Sequence, residues 1–236
     1  MTTTSLSLKK MAALTSLLIG SLAGMSVPAH ASLQLESSVV IIEQSDGEGV
    51  MNLQNTSDGP VLLHTEILNV PEDEADLLLV TPPITRVDAK DTQLVRFILK
   101  DDSDLKTERF KRATFEGIPQ VAPNVLQVSV RQNIPVIIRP KGLAKNNKPW
   151  TFLKWRNTAE GLMVENTGPY VVRMAPNVTT LPSASNLSLP KTYILPGEKI
   201  TLSGDKPTAA IEKLSFQPAS VNGYLNGPQE AVVEAL

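Results

Sequence analysis

The chain has 236 residues, with 24 acidic and 22 basic side chains, two histidines and no cysteine. A formal net charge of −2 provides no basic excess to attract nucleic acid or anionic lipid. The lack of cysteine excludes disulfide exchange, a cysteine nucleophile and a thiolate metal site.

The first 31 residues have the pattern of a cleavable export signal. Lys9 and Lys10 precede an apolar segment at residues 11–25, and Ala29, His30 and Ala31 form a small-x-small cleavage site. The apolar segment is shorter than the roughly 20 residues that a membrane-spanning helix needs. We therefore expect a signal peptide over residues 1–31, cleavage after Ala31 and no membrane insertion, with an uncleaved anchor helix as the alternative.

Candidate catalytic and metal-binding groups are few. His30 leaves with the signal, so a Ser-His-Asp triad would have to use His64, which lies in an alternating segment and is interpreted as an ordinary strand residue. The acidic clusters at residues 72–76 and 101–104 lack the ligand spacing of a calcium loop and are interpreted as solvated loops. The sequence predicts no enzyme activity, no cofactor and no metal site.

Short apolar runs between prolines and turn residues predict an all-β fold with two immunoglobulin-like β-sandwich domains. The polar segment 141–149 is interpreted as a linker between an N-terminal domain, residues 32–140, and a C-terminal domain, residues 150–236. Predicted strands of the first domain lie at residues 34–43, 49–55, 61–70, 77–80, 92–99, 109–116 and 126–138. Those of the second lie at residues 152–156, 162–166, 170–175, 191–195, 199–202 and 209–216.

The last predicted strand of the first domain is unusually long. Alternation places one apolar row on a single face of the sheet, formed by Leu126, Val128, Val130, Ile134, Val136 and Ile138. A long apolar strand with an open edge is an aggregation hazard, so proteins normally cover it or keep it short. The row is therefore either half of the domain's own core or a surface reserved for another protein's sheet.

Ordered motifs along the chain carry a family resemblance. They are TPP at residues 81–83, VRF at 95–97, IP at 118–119, RP at 139–140, ENTGPYVV at 165–172, LPGEK at 195–199 and YLNG at 224–227. In this order and spacing the chain resembles the periplasmic chaperones of chaperone–usher pilus assembly, the PapD-like family. The resemblance implies two immunoglobulin-like domains in a boomerang arrangement, located in the periplasm.

The resemblance also implies a function for the long strand. In these chaperones the corresponding strand is donated to a pilin subunit that lacks its own final strand, a form of strand addition. Carried over by position, the groove-filling side chains are Leu126, Val128 and Val130. The implied partners are pilin subunits and an outer-membrane usher, and the implied function is to cap the subunits and deliver them to the usher.

The sequence departs from the family at the positions that anchor the subunit's terminal carboxylate. Val39 stands where the family has an arginine, and Pro135 stands where it has a lysine. Arg131 is a possible substitute anchor on the long strand, or else the subunit terminus stays in water. Proline lacks an N–H, so we also expect the nitrogen of Pro135 to face an unpaired edge or a bulge, which places a stop in any strand pairing at this point. An exported structural or adhesive β-sandwich protein that has lost subunit capping is the alternative function.

Overall fold

The structure is a computed structural model that describes residues 32–100, 105–120, 129–204 and 211–235. In this part of the chain the regular structure is almost entirely strand, with one 3-10 turn at Pro149–Phe152. The strands of the first sheet are β1 (Leu33–Leu35), β2 (Val40–Glu43), β3 (Glu48–Asn55), β4 (Val61–Leu68), β5 (Leu78–Thr81), β6 (Ile84–Val87), β7 (Thr92–Leu99), β8 (Arg109–Pro119) and β9 (Arg131–Arg139). Those of the second are β10 (Leu153–Thr158), β11 (Gly161–Asn166), β12 (Val172–Leu181), β13 (Asn186–Ser188), β14 (Tyr193–Ile194), β15 (Lys199–Thr201), β16 (Ser203–Gly204), β17 (Lys213–Ala219) and β18 (Gln229–Glu234).

The first sheet folds over on itself around a single core. Its strand order is β5-β7-β3-β2-β9-β8-β4-β6, with β1 also paired to β3. Phe97 on β7 and Phe115 on β8 are fully buried and meet edge to face, with ring centroids 6.1 Å apart. Because β7 and β8 are not neighbours in the strand order, this contact joins two layers of one sandwich.

The second sheet also folds over on itself around a single core. Its order is β15-β11-β10-β18-β17-β12-β13-β16, with β14 paired to β12. Trp155 on β10 and Phe216 on β17 pack with ring centroids 5.4 Å apart inside its core. The predicted all-β fold with two immunoglobulin-like domains is therefore confirmed, and no helix of the described residues is long and apolar enough to cross a membrane.

Several strand predictions need correction. In the second domain the strand expected at residues 170–175 is β12, Val172–Leu181, and the one expected at 209–216 is β17, Lys213–Ala219. Residues 34–43 were expected to form one strand, but they form β1 and β2, because β1 pairs with β3 whereas β2 pairs mainly with β9. In the long strand the described ladder begins at Arg131, and residues 121–128 lie outside the described residues.

A smaller apolar cluster lies between the two sheets. The first domain contributes Val39 and Ile137, and the second contributes Val171. The ring of Phe110 on β8 stacks on Tyr193 of β14 at a centroid distance of 4.4 Å. This cluster holds the start of β12 against the outer face of β8 and β9.

Candidate functional site

The predicted donor segment enters the described part of the chain at Ser129. Val130 follows, immediately before β9 begins at Arg131, and this residue is 47% exposed to solvent. Leu126 and Val128 lie outside the described residues, so their role in filling a groove stays a prediction. Val130 is thus an apolar residue in contact with solvent, at the N-terminal end of β9.

The apolar row of the long strand is divided between two environments. Val136 and Ile138 are fully buried in the core of the first domain, and Ile134 packs against that core. Val130 belongs to the same alternating row but is exposed. The domain's own core therefore takes the C-terminal half of the row and leaves Val130 free of it.

The N-terminal half of β9 has an open edge. On one side β9 pairs with β8 over its length, from Arg131 to Ile138. On the other side its pairing with β2 begins only at Val136. Among the described residues no strand pairs with residues 131–135 on that side. Such unpaired backbone is the surface to which another protein can add a strand.

Pro135 marks the end of this open edge. The expectation that it would stop strand pairing is wrong on the β8 side, where the pair Arg112–Pro135 continues the ladder without a shift of register. On the β2 side the pairing begins at the next residue, Val136. The missing N–H of proline therefore does not interrupt β9 but coincides with the boundary between its open and covered edges.

Val39 and Pro135 lie side by side on the outer face of the first domain. Each precedes a residue of the registered pair Val40–Val136, whose side chains point into the core. Both Val39 and Pro135 are buried. The two positions that the family resemblance assigns to basic residues are therefore adjacent here, and both are apolar.

Arg131, the possible substitute anchor, already has a carboxylate partner. Its guanidinium donates a hydrogen bond to Glu116 on β8 at 3.0 Å, and the hydroxyl of Ser129 donates to the same carboxylate at 2.7 Å. The hydrogen bonds from Ser129 and Arg131 lower the pKa of Glu116. The arginine side chain is 51% exposed, and its role as an anchor stays a prediction.

The next residue in the outer row is Arg112, which the sequence analysis missed. It lies on β8 directly opposite Pro135. Arg112 on β8 is the registered partner of Pro135 on β9, and Val39 directly precedes β2, the strand on the other side of β9, so the three residues form a continuous row. Only the strand register brings Arg112 to this place, and no local motif marks it.

A buried ionic joint connects this face to the second domain. Arg139, at the end of β9, donates to Glu108 at 3.1 Å and to Glu43 at 2.7 Å. Glu108 also accepts a hydrogen bond from the backbone N–H of Val171 at 2.9 Å. Burial raises the pKa of Glu108, against the opposing effects of the Val171 N–H and Arg139. The joint fixes the second domain to the C-terminal end of β9.

A second set of ion pairs corrects the interpretation of residues 72–76 as a solvated loop. Asp73 is only 6% exposed and accepts hydrogen bonds from Arg109 at 2.8 Å and from Lys111 at 2.9 Å. Glu72 accepts hydrogen bonds from Lys191 and from the hydroxyl of Tyr193 in the second domain. These cations are distant in the sequence, so composition alone could not reveal them. The cluster at residues 101–104 lies outside the described residues.

Comparisons with known proteins agree with this architecture. Residues 32–144 match the family model described as pili and flagellar-assembly chaperone, PapD N-terminal domain. The uncharacterized fimbrial chaperone YhcA of Escherichia coli K12 is 39% identical over 192 residues, which are 80% of this chain and 85% of that protein.

Solved structures show the same fold. The YadV chaperone matches with a TM-score of 0.68 and 20% identity, over 85% of this chain and 99% of that chain. The structure of the Salmonella enterica SafA pilin in complex with the SafB chaperone matches with a TM-score of 0.68 and 20% identity, over 87% of this chain and 98% of that chain. By its match to the family model and its identity to a fimbrial chaperone, the chain belongs to the pili and flagellar-assembly chaperone family.

Proposed function

We propose that this protein is a periplasmic chaperone that captures pilus subunits by adding a strand to them and delivers them to an outer-membrane usher. Membership of the family supports the chaperone function rather than an enzyme activity. The observation that carries the proposal is the open edge of β9 at residues 131–135, with the exposed Val130 next to it.

In this proposal the donor side chains are Leu126, Val128 and Val130. Strand addition uses the backbone hydrogen bonds of an open edge for affinity and alternate side chains for specificity. Burying three apolar side chains in a partner's groove contributes about 1.5–3 kcal/mol each, before the entropy cost of association is subtracted. The buried Val136 and Ile138 hold the strand in register while Val130 is offered to the partner.

The proposed function also implies that the protein is located in the periplasm. We propose that residues 1–31 direct export and are removed after Ala31, so that the mature chain starts at Ser32. The subunits captured after export would be passed to the usher, which is the partner that the family resemblance implies.

A second function is favoured by one observation, the apolar and buried Val39 and Pro135. If these substitutions abolish subunit binding, the protein is an exported structural or adhesive β-sandwich that keeps the fold without the capping activity. It would then be found in the periplasm without a bound subunit.

Co-purification separates the two functions. The tagged protein is co-expressed with the pilin subunits encoded beside it or beside an usher, and the periplasmic complexes are purified. We expect a stoichiometric complex with at least one subunit, and its loss in Val130→Glu. Folded protein that captures none of the subunits, while the subunits are rescued by another chaperone, would contradict the proposal and favour the alternative.

A further inference from the structure

Arg112 of the first domain and Arg173 of the second are linked through one aromatic contact: Tyr193, the registered partner of Arg173, stacks on Phe110, two residues before Arg112 on β8. Phe110 and Arg112 have the same parity on β8, and Phe110 packs in the cluster between the domains. Arg112 therefore lies on the face that the second domain covers. On β12, Val172 and Met174 belong to the core of the second domain, so Arg173 points the other way, toward the first domain.

Arg112 is held in place but not neutralised. Its Nε donates to the side-chain oxygen of Asn133 and its Nη2 donates to the backbone carbonyl of Asn133, both at 2.7 Å. Both acceptors are neutral. Over the described ranges, with their gaps at 101–104, 121–128 and 205–210, Arg112 forms no ion pair, and its Nη1 has no hydrogen-bond partner.

Arg173 is positioned in the same way. Its Nη1 donates to the backbone carbonyl of Val221 at 2.6 Å, in the loop between β17 and β18. Gly223 in that loop has φ +85°, and an added Cβ would lie 3.0 Å from Nη2 of Arg173. Within the part of the chain that the structure describes, no carboxylate pairs with Arg173. The loop thus cradles the guanidinium with neutral groups only.

The loop between β17 and β18 also contacts the segment of the first domain that contains Val39. The hydroxyl of Ser38, next to Val39, donates to the backbone carbonyl of Asn222 at 2.6 Å. Arg173 lines a pocket of about 450 Å³ between the two domains, together with Ile41 and Val171 and with Glu108, whose carboxylate pairs with Arg139. Arg173 therefore stands beside a recess of mixed polarity with access to solvent.

The electrostatics of this pair are unfavourable in the free protein. Burial and then the nearby charge of Arg112 lower the pKa of Arg173, and burial lowers the pKa of Arg112. Tyr193, the registered partner of Arg173, stays protonated because burial and its hydrogen bond to Glu72 raise its pKa to about 12. By contrast, Arg109, Arg131, Arg139 and Arg156 all have carboxylate partners. Two half-buried cations without a counter-charge indicate a site for an anion.

We propose that Arg112 and Arg173 together bind a carboxylate of the captured polypeptide at the end of the open edge of β9. The inference rests on the proposed function and names a second contact for the same partner. Guanidinium groups suit carboxylates because they donate parallel hydrogen bonds to both oxygens. The site lies beside the two apolar positions, Val39 and Pro135, and takes its charge from β8 and from the second domain.

The carboxylate could be the partner's C-terminal group or an Asp or Glu side chain, and calorimetry with peptides separates the two. The full-length mature protein is titrated with the peptide sequence of a captured subunit's last strand, as the free acid, as the C-terminal amide, and with each acidic side chain replaced by its amide. We expect one of these neutralised peptides to bind at least about tenfold more weakly.

The arginine variants test which residues bind the carboxylate. Arg112→Gln and Arg173→Gln should each weaken binding of the acidic peptide at least about tenfold and should remove the difference between acid and neutralised peptide. Arg112→Lys should keep part of that difference. Arg131→Gln is the matched control on the same face, and it should change binding less than about threefold, as for an exposed pair.

Melting temperatures distinguish binding from support of the fold. Since each Gln variant removes one of two like charges, the free variant should melt at the same temperature as wild type or higher. Equal losses of affinity for acid and neutralised peptides, or no loss in either variant, would overturn the inference while leaving subunit capture intact.

A probe that needs no subunit keeps the inference separate from the proposed function. Acetyl-leucine and its amide are titrated into the mature protein while the side-chain Nε–H signals of Arg112 and Arg173 are followed by NMR. Shifts with the acid alone would support the site even if no subunit is captured. Equal responses to both compounds would overturn it.

Discussion

The backbone N–H of Val171 donates a hydrogen bond to the buried carboxylate of Glu108, at 2.9 Å, and so joins the second domain to β8. The same carboxylate accepts a hydrogen bond from Arg139, at the end of β9. One carboxylate therefore contacts both the second domain and the C-terminal end of β9.

Replacing Glu108 tests this joint. Glu108→Ala leaves Arg139, whose side chain is 11% exposed, paired with Glu43, and removes the acceptor of the Val171 N–H. We expect a loss of about 3–5 kcal/mol in the free energy of unfolding, measured with urea. Glu108→Gln keeps a hydrogen-bond acceptor and should cost less, and equal stability of Glu108→Ala and wild type would contradict the assignment.

Asp73 should make the protein sensitive to acid. Burial raises the pKa of Asp73, but the hydrogen bonds from Arg109 and Lys111 lower it more, so that the pKa lies below its ordinary value of 3.8. Its stabilising contribution is therefore present above pH 3.8 and is lost as the pH falls through the lower pKa of the folded state. We expect the melting temperature to fall as the pH is lowered below about 4, and to fall less in Asp73→Asn.

At neutral pH the same substitution removes the partner of a buried lysine. Lys111 is 1% exposed and pairs with Asp73, so Asp73→Asn should cost about 3–5 kcal/mol in unfolding free energy. Arg109→Gln is the control, because its side chain is 29% exposed and water can reach it. A larger loss from Arg109→Gln than from Asp73→Asn would disprove this ranking.

Val130 and Ile138 should separate capture from folding. Val130→Glu places a charge on an exposed side chain, so the free protein should keep its melting temperature while subunit capture is lost. Ile138→Ala, in the same row but fully buried, should lose about 2–5 kcal/mol of stability, with the folded fraction still able to capture. Both quantities are measured by thermal unfolding and by co-purification. A destabilised Val130→Glu variant with intact capture would place Val130 in the protein's own core.

Val128→Glu is expected to act as Val130→Glu does, on the sequence argument alone. An unpaired carboxylate in an apolar groove costs several kcal/mol, so capture should be lost in co-purification. The free protein should keep its melting temperature.

Arg131→Ala measures how much this residue contributes to subunit binding. Its pair with Glu116 is exposed on the arginine side, so we expect a change in the free energy of binding below about 1 kcal/mol. The measurement is a calorimetric titration with a subunit peptide. A loss of about tenfold or more in affinity would mean that Arg131 is the carboxylate anchor.

The N-terminus of the exported protein is directly measurable. Because Ala29, His30 and Ala31 form a small-x-small site after an apolar segment, the periplasmic protein should begin at Ser32. Intact-mass spectrometry of the purified periplasmic protein checks this, and a retained N-terminus would favour the uncleaved anchor helix instead.

Regular alternation made several strands predictable from the sequence. β7 was predicted with its observed bounds, Thr92–Leu99, because it alternates between flanking turn residues. β18 was missed because Val232, one of its few apolar residues, is 71% exposed and the strand has little amphipathic pattern. β1 and β2 were merged, since a change of pairing partner leaves no mark in the apolar pattern.

The candidate site was predictable only in part. The exposed end of the apolar row at Val130 and the apolar residues at Val39 and Pro135 could be located by motif. Arg112 could not, because its place depends on the pairing of β8 with β9, and Arg173 comes from the other domain. The burial of Asp73 was hidden for the same reason, since Arg109 and Lys111 reach it from another strand.

The fixed register of β9 has a consequence for the length of a partner. The five residues from Val130 to Pro135 span roughly 17 Å when extended. Because Val136 and Ile138 are buried in the core, the Pro135 end of this stretch is fixed to the domain. A strand laid along the open edge would meet the exposed apolar side chain at one end and the two arginines at the other. The chaperone would then select the length of the partner's last strand. A strand that is one residue too short or too long could contact Val130 or the two arginines, but not both.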